Sequence, residues 1–256
     1  MSAFTAFFKK EVLENLRNGK LIILGILSFA LGIMNPAIAK LTPWLLDLLS
    51  EQLAGSGMIV TDVPVNALTA WTQFFKNIPI ALIVFVFLYS STLTGEYETG
   101  TLVLILTKGL SRYQVLLAKF GTMLILWSSA YWLCFGITYA YTAYFWDNSI
   151  AVGRFSAAIH WWLFGVFVVA LMILFSTLSK QYSGVLLGTG GSVLALYLLG
   201  FLPKIANYTP TALMHSTALL AGAESADDYR KTIVVTALIS IACICTSIPV
   251  FNKKQL

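Results

Sequence analysis

The side chains that most often perform catalysis or bind metals are few in this sequence and lie apart. His160 and His215 have no Cys, Asp or Glu neighbour at the spacing of a metal site. Cys243 and Cys245 are two residues apart in an apolar run, and on a helix their side chains would project about 200° from each other. The Gly-x-x-x-x-Gly-Lys-Ser/Thr phosphate loop is missing from the sequence. We therefore predict no catalytic residue, no metal site and no cofactor bound by this chain, so any ATP use must come from another subunit.

The composition indicates a protein that spans a membrane. Of the 256 residues, 58% are hydrophobic and only 11% are charged, compared with about 25% charged in soluble proteins. The net charge of +5 comes from basic residues scattered at the ends of apolar runs. This distribution is typical of membrane topology signals, and we predict no nucleic-acid partner.

Six runs of the sequence contain no Asp, Glu, Lys or Arg and are long enough to cross a membrane as helices, which takes about 18 residues or more. The predicted fold is an all-α polytopic membrane protein, with residues 1–256 forming a single transmembrane domain. Residues 205–223 are also uncharged but too polar for a lipid-facing span, and they predict a short external or re-entrant helix. The six predicted spans are 21–39, 77–95, 120–146, 155–179, 181–203 and 232–252.

The basic residues predict the orientation of these spans. With six spans, the two termini and the second and fourth loops lie on one side, and this side carries ten of the 16 Lys and Arg residues. The positive-inside rule therefore places both termini in the cytoplasm, in a multi-pass protein of the plasma membrane.

Besides the segment 205–223, four short helices are expected outside the spans. Residues 2–19 predict a helix along the cytoplasmic membrane surface. Glu11 and Asn15 project into its apolar sector, which indicates that part of this face contacts protein. In the first external loop, Thr42 predicts the start of one helix, and residues 66–76 predict another. The fourth is the coupling segment described below.

Small residues repeat every fourth position in two of the spans. Gly184, Gly188 and Ser192 form such a stripe in the fifth span, and Ser28 and Gly32 form one in the first. These patterns let helices approach closely. They predict a seam between two copies or a translocation path, and packing within the chain explains them equally well.

The second cytoplasmic loop, residues 95–119, is the most informative segment. Its first residues are acidic. An apolar stretch of about two helical turns follows and ends at Gly109. A new helix is predicted at Ser111, because Gln114 follows three residues later as in a capping box. A short apolar helix at the cytoplasmic face needs cover from its own bundle or from a partner subunit.

This loop resembles the acidic, Gly-Thr, Ser-Arg and Leu…Lys run of type 2 ATP-binding-cassette (ABC) exporter permeases. The resemblance implies two permeases, this chain with a second copy or a homologue, embedded in lipid of a bacterial membrane. It also implies two separate ATPases that bind ATP and Mg. The resembling residues are Glu96-Tyr97-Glu98-Thr99-Gly100-Thr101-Leu102, Gly109-Leu110-Ser111-Arg112 and Leu116-Leu117-Ala118-Lys119.

In that family the loop between the second and third spans forms a coupling helix that docks on the ATPase. The resemblance places this helix at 98–107 and implies that the first, second and fifth spans face the dimer axis. We expect a charge at Leu102 or Leu106 to abolish docking without unfolding the bundle. The implied ATPase-coupling residues are Glu96, Glu98, Gly100, Thr101, Leu102, Ile105, Leu106 and Lys108.

The spans themselves favour a hydrophobic or amphipathic cargo, such as a peptide, lipid or drug, because they are uncharged and rich in aromatic residues. The implied mechanism is outward transport by alternating access. A secondary carrier or a channel acting without an ATPase is the competing interpretation, although such proteins usually need charged groups or filter motifs within the membrane. A membrane enzyme is a more distant third.

Overall fold

The computed structural model describes residues 3–53, 65–215 and 217–254, which are mainly helical and contain no strand. Short 3₁₀ turns lie between the later helices, at Asn148–Ile150, Ala206–Tyr208, Pro210–Met214 and Ala226–Tyr229. The α-helices are α1 (Ala3–Arg17), α2 (Lys20–Leu53), α3 (Ala67–Tyr89), α4 (Ser91–Glu98), α5 (Thr101–Thr107), α6 (Arg112–Phe145), α7 (Arg154–Leu178), α8 (Tyr182–Leu199), α9 (Thr217–Leu220) and α10 (Arg230–Lys253).

Six segments of the described chain are long and apolar enough to cross a membrane, as the sequence predicts. The fold is therefore an all-α polytopic membrane protein. The segments are Lys20–Leu45, Ala67–Glu98, Arg112–Phe145, Arg154–Leu178, Tyr182–Leu199 and Ala226–Lys253.

Of the two helices predicted in the first external loop, the start of one and the end of the other are wrong. α2 continues unbroken through Pro36 and Pro43. The Thr42 hydroxyl donates to the carbonyl oxygen of Ile38 at 2.7 Å and so bonds back into the same helix instead of capping a new one. Asn66 does cap a helix, but that helix is α3, which runs into the second span without a break at residue 76. Prolines within apolar helices are tolerated where neighbouring groups satisfy the freed backbone.

The spans pack around α7, which contacts α6, α8 and α10, while α2 packs against α3 and α6. In the most apolar stretch of α7, 67% of the residues are buried, compared with 11% in α8. The core is rich in aromatic rings, and Trp71, Trp127 and Trp161 are all fully or almost fully buried. α7 is thus the central helix, and α8 exposes most of its surface.

The small residues of the two stripes mostly face this chain's own side chains. A Cβ at Gly32 would lie 2.8 Å from the Cβ of Ile137, and one at Gly188 would overlap the ring of Phe175. A Cβ at Gly184 would likewise overlap the side chain of Ser179. Ser28 is fully buried. These glycines therefore serve packing within the chain, and a role for the stripes in a dimer stays a prediction.

Gly165 provides a test of this packing. It lies where α7 meets the fully buried Trp127, and a Cβ at this position would overlap the indole ring. We expect Gly165→Ala to lower the free energy of unfolding by about 1–3 kcal/mol through overpacking. Gly136→Ala is the matched control, because a Cβ there meets nothing within 4 Å. Equal thermal unfolding of the two variants in detergent would contradict the α6–α7 packing.

Candidate functional site

α5 is a short apolar helix that lies with α1 and α4 at one end of the bundle, and glycines bound it on both sides. Gly100 has φ +68° and Gly109 has φ +90°, a left-handed conformation that disfavours any residue with a Cβ. The helix therefore begins at Thr101. The predicted start at residue 98 is wrong, because Glu98 is the last residue of α4 and is exposed.

The two faces of α5 differ sharply. Leu102 is 1% exposed within the core of its own chain, and the partly buried Ile105 and Leu106 pack against the same core. Leu104, on the opposite face, is 62% exposed, and Val103, at the border between the two faces, is 45% exposed. The expectation that Leu102 faces a partner is therefore wrong, whereas a partner contact of the partly buried Leu106 stays a prediction.

A buried ion cluster joins α5's neighbours. The Lys119 side chain on α6 is only 2% exposed, and its Nζ lies 3.1 Å from Glu11 Oε2 of α1 and 3.0 Å from Glu96 Oε1 of α4. The same ammonium donates to the carbonyl oxygen of Thr92 at 3.0 Å. Lys119 thus ties three helices together, and the burial of Glu11 explains its place in the apolar sector of α1.

Lys10 extends the cluster toward solvent. Its Nζ lies 2.7 Å from Glu14 Oε2, 3.1 Å from Glu11 Oε1 and 3.5 Å from Glu96 Oε1. Partial burial opposes the charge on Lys10, but the hydrogen bonds and charges of these carboxylates outweigh it and raise the pKa of Lys10 above its ordinary value. The hydrogen bond from Lys10 in turn lowers the pKa of Glu14. Lys10 and Glu14 therefore both remain ionised at neutral pH.

A cleft of 570 Å³ lies between α1, α4, α5 and the start of α6. It brings together four of the predicted coupling residues, Glu96, Thr101, Ile105 and Lys108, whereas Leu102 lies in the core beneath. The exposed apolar face of α5 beside this charged cleft is suited to binding a protein surface.

Sequence reasoning missed Val103, Leu104 and Lys119 as site residues. The signal for Leu104 was the helical period of residues 101–107, which places it opposite Leu102. Val103 has no such signal, because it lies three residues before Leu106. The signal for Lys119 was a carboxylate, Glu11, placed in the apolar sector of a surface helix.

Comparison with known families gives one result. A family model described as an ABC-2 family transporter protein matches residues 5–219. The matched region includes most of α1, all of α5 and every member of the ion cluster. Comparison with curated proteins gives no match.

Proposed function

The chain belongs to the ABC-2 family of transporter proteins, and we propose that it is the permease subunit of an ATP-driven exporter. Membership of this family implies that the chain functions together with an ABC ATPase subunit. In our proposal that subunit binds ATP and Mg, and the permease moves cargo outward by alternating access. The observation that carries the proposal is α5, a helix fixed inside its own chain by Leu102 and apolar on its outer face.

α5 acts as the coupling helix in this proposal, and its end of the bundle lies in the cytoplasm with both termini. Val103 and Leu104 form the contact with the ATPase, because exposed apolar side chains at a polar surface favour burial against a partner. Leu102 anchors α5 to the core, so a push on α5 moves the bundle with it. The cluster around Lys119 keeps α1 and α4 attached to α6 during this movement.

The second permease, a copy or a homologue, packs in this proposal against the side where α3 and α8 are exposed. An apolar groove of 230 Å³ lies there, lined by Ile83, Phe87 and Val193 among others. A Cβ added at Gly190 or Gly191 of α8 would meet nothing within 4 Å, and glycines at such open positions allow close approach of another helix.

The proposed cargo is hydrophobic or amphipathic, in keeping with spans that are uncharged over most of their length and rich in aromatic side chains. We expect deletion of the protein to reduce export of a labelled amphipathic peptide from cells. Unchanged peptide export together with altered ion efflux would argue against this cargo class.

The contact between α5 and the ATPase is tested by Leu104→Asp. A carboxylate on the outer face of α5 loses its hydration when the partner docks, and this should reduce co-purification of the ATPase by about tenfold or more. Leu104→Met is the matched control and should retain the ATPase, because it keeps an apolar side chain of similar volume. Normal ATPase recovery with Leu104→Asp would remove α5 from the interface.

A further inference from the structure

Arg112 holds the end of α10 against the start of α6. Its guanidinium Nη1 donates to the carbonyl oxygens of Phe251 at 2.6 Å, Asn252 at 3.1 Å and Lys254 at 2.7 Å. The last carbonyls of a helix have no partner within the helix. Arg112, the first residue of α6 after the α5 segment, therefore supplies these missing bonds.

Lys254 makes the corresponding contact with the end of α7. Its ammonium donates to the carbonyl oxygens of Thr177 at 2.9 Å and Ser179 at 2.7 Å. The same Nζ lies 4.1 Å from the centre of the Tyr97 ring in α4, within the range of a cation–π interaction. The Tyr97 ring in turn meets the Phe251 ring edge-on at 6.2 Å. Lys254 thus touches α7 and the helix that leads into α5.

Backbone oxygens and an aromatic face hold the Lys254 ammonium, and no carboxylate among the described residues pairs with it. The titratable or charged groups around it are Tyr97, Arg112 and Lys180. Burial, with a smaller contribution from the charge of Lys180, lowers the pKa of Lys254 to about 8. The ammonium form therefore prevails at neutral pH, and its contacts depend on the relative positions of α4 and α7.

We propose that Arg112 and Lys254 form a clamp that carries movement of α5 to α7 and α10. Both are positioning residues, and the inference rests on the proposed function. The ion cluster around Lys119 joins α4 to α1 and α6. The clamp adds polar contacts from α4 and the start of α6 to the central helix α7 and to α10, which packs along α7. Movement of α5 is then transmitted to the whole bundle.

The test uses the complex of the chain with its co-purified ATPase, with and without ATP, Mg and vanadate. Hydrogen–deuterium exchange is followed in peptides from the ends of α7 and α10. We expect Lys254→Gln to reduce the nucleotide-dependent change in these peptides by roughly tenfold, while the ATPase stays bound and the change in α5 persists. Lys253→Gln is the matched control, because Lys253 is the exposed neighbour, and Lys254→Arg should restore the response.

A second pair of variants covers the case in which Lys254→Gln fails to fold. Tyr97→Leu removes the ring beside the ammonium and should also uncouple α7 and α10, whereas Tyr97→Phe keeps the ring and should respond normally. A full nucleotide response in both Lys254→Gln and Tyr97→Leu would overturn the clamp. Failure of the proposed function itself is a different result, namely that the unmodified chain purifies without an ATPase.

Discussion

Replacing Lys119 with methionine should lower the free energy of unfolding by about 3–5 kcal/mol, because it removes the buried cation that two carboxylates share and leaves them only the half-exposed Lys10. Glu11 and Glu96 are 3% and 9% exposed, so water cannot readily take the place of the ammonium. The two negative charges would also repel each other across the gap. Unfolding in mixed micelles with increasing SDS measures the loss, and a fall in the yield of monodisperse protein should accompany it.

Lys10→Met is the matched control in the same cluster. The Lys10 side chain is 48% exposed, and solvent-exposed ion pairs contribute only about 0–1 kcal/mol. Neutralising the partners with Glu11→Gln and Glu96→Gln should restore much of the stability that Lys119→Met loses. Equal losses for Lys119→Met and Lys10→Met would show that the buried cluster does not hold α1, α4 and α6 together.

Leu102→Asp should prevent stable folding instead of affecting only the partner. Truncating a buried leucine costs about 2–5 kcal/mol, and this substitution also places a carboxylate in the core, where Leu102 is 1% exposed. Leu102→Met should cost less than about 1.5 kcal/mol. Size-exclusion chromatography in detergent separates the outcomes. A Leu102→Asp variant that folds normally but loses its ATPase would place Leu102 on the interface after all.

The spans were predictable because a charge within the hydrocarbon is costly, and charge-free runs longer than about 18 residues are therefore a strong signal. The helix boundaries outside the hydrocarbon were less predictable. Thr42 and Pro43 form a good helix start, but the same residues are compatible with a continuing helix when the hydroxyl bonds to the preceding turn. The division of 98–107 at Gly100 depended on a left-handed backbone, which the glycine permits but does not require.

The candidate site was only partly predictable, since its main contacts join distant parts of the chain. Lys119 and Glu11 are separated by 108 residues, so their pairing depends on how α1 packs against α6. The acidic and apolar run at 96–107 located the segment. Which of its leucines face outward depended on the bundle beneath α5, which buries Leu102 and leaves its neighbour Leu104 exposed.

The most direct test of the central claim is affinity purification of the chain from its own membranes in mild detergent, followed by identification of its partners and an assay of ATP hydrolysis. We predict a stoichiometric subunit that carries a phosphate loop and hydrolyses ATP, with both the subunit and the activity lost in Leu104→Asp but retained in Leu104→Met. Recovery of the chain alone without hydrolysis, together with transport in liposomes driven by an ion gradient, would contradict the claim and favour a secondary carrier.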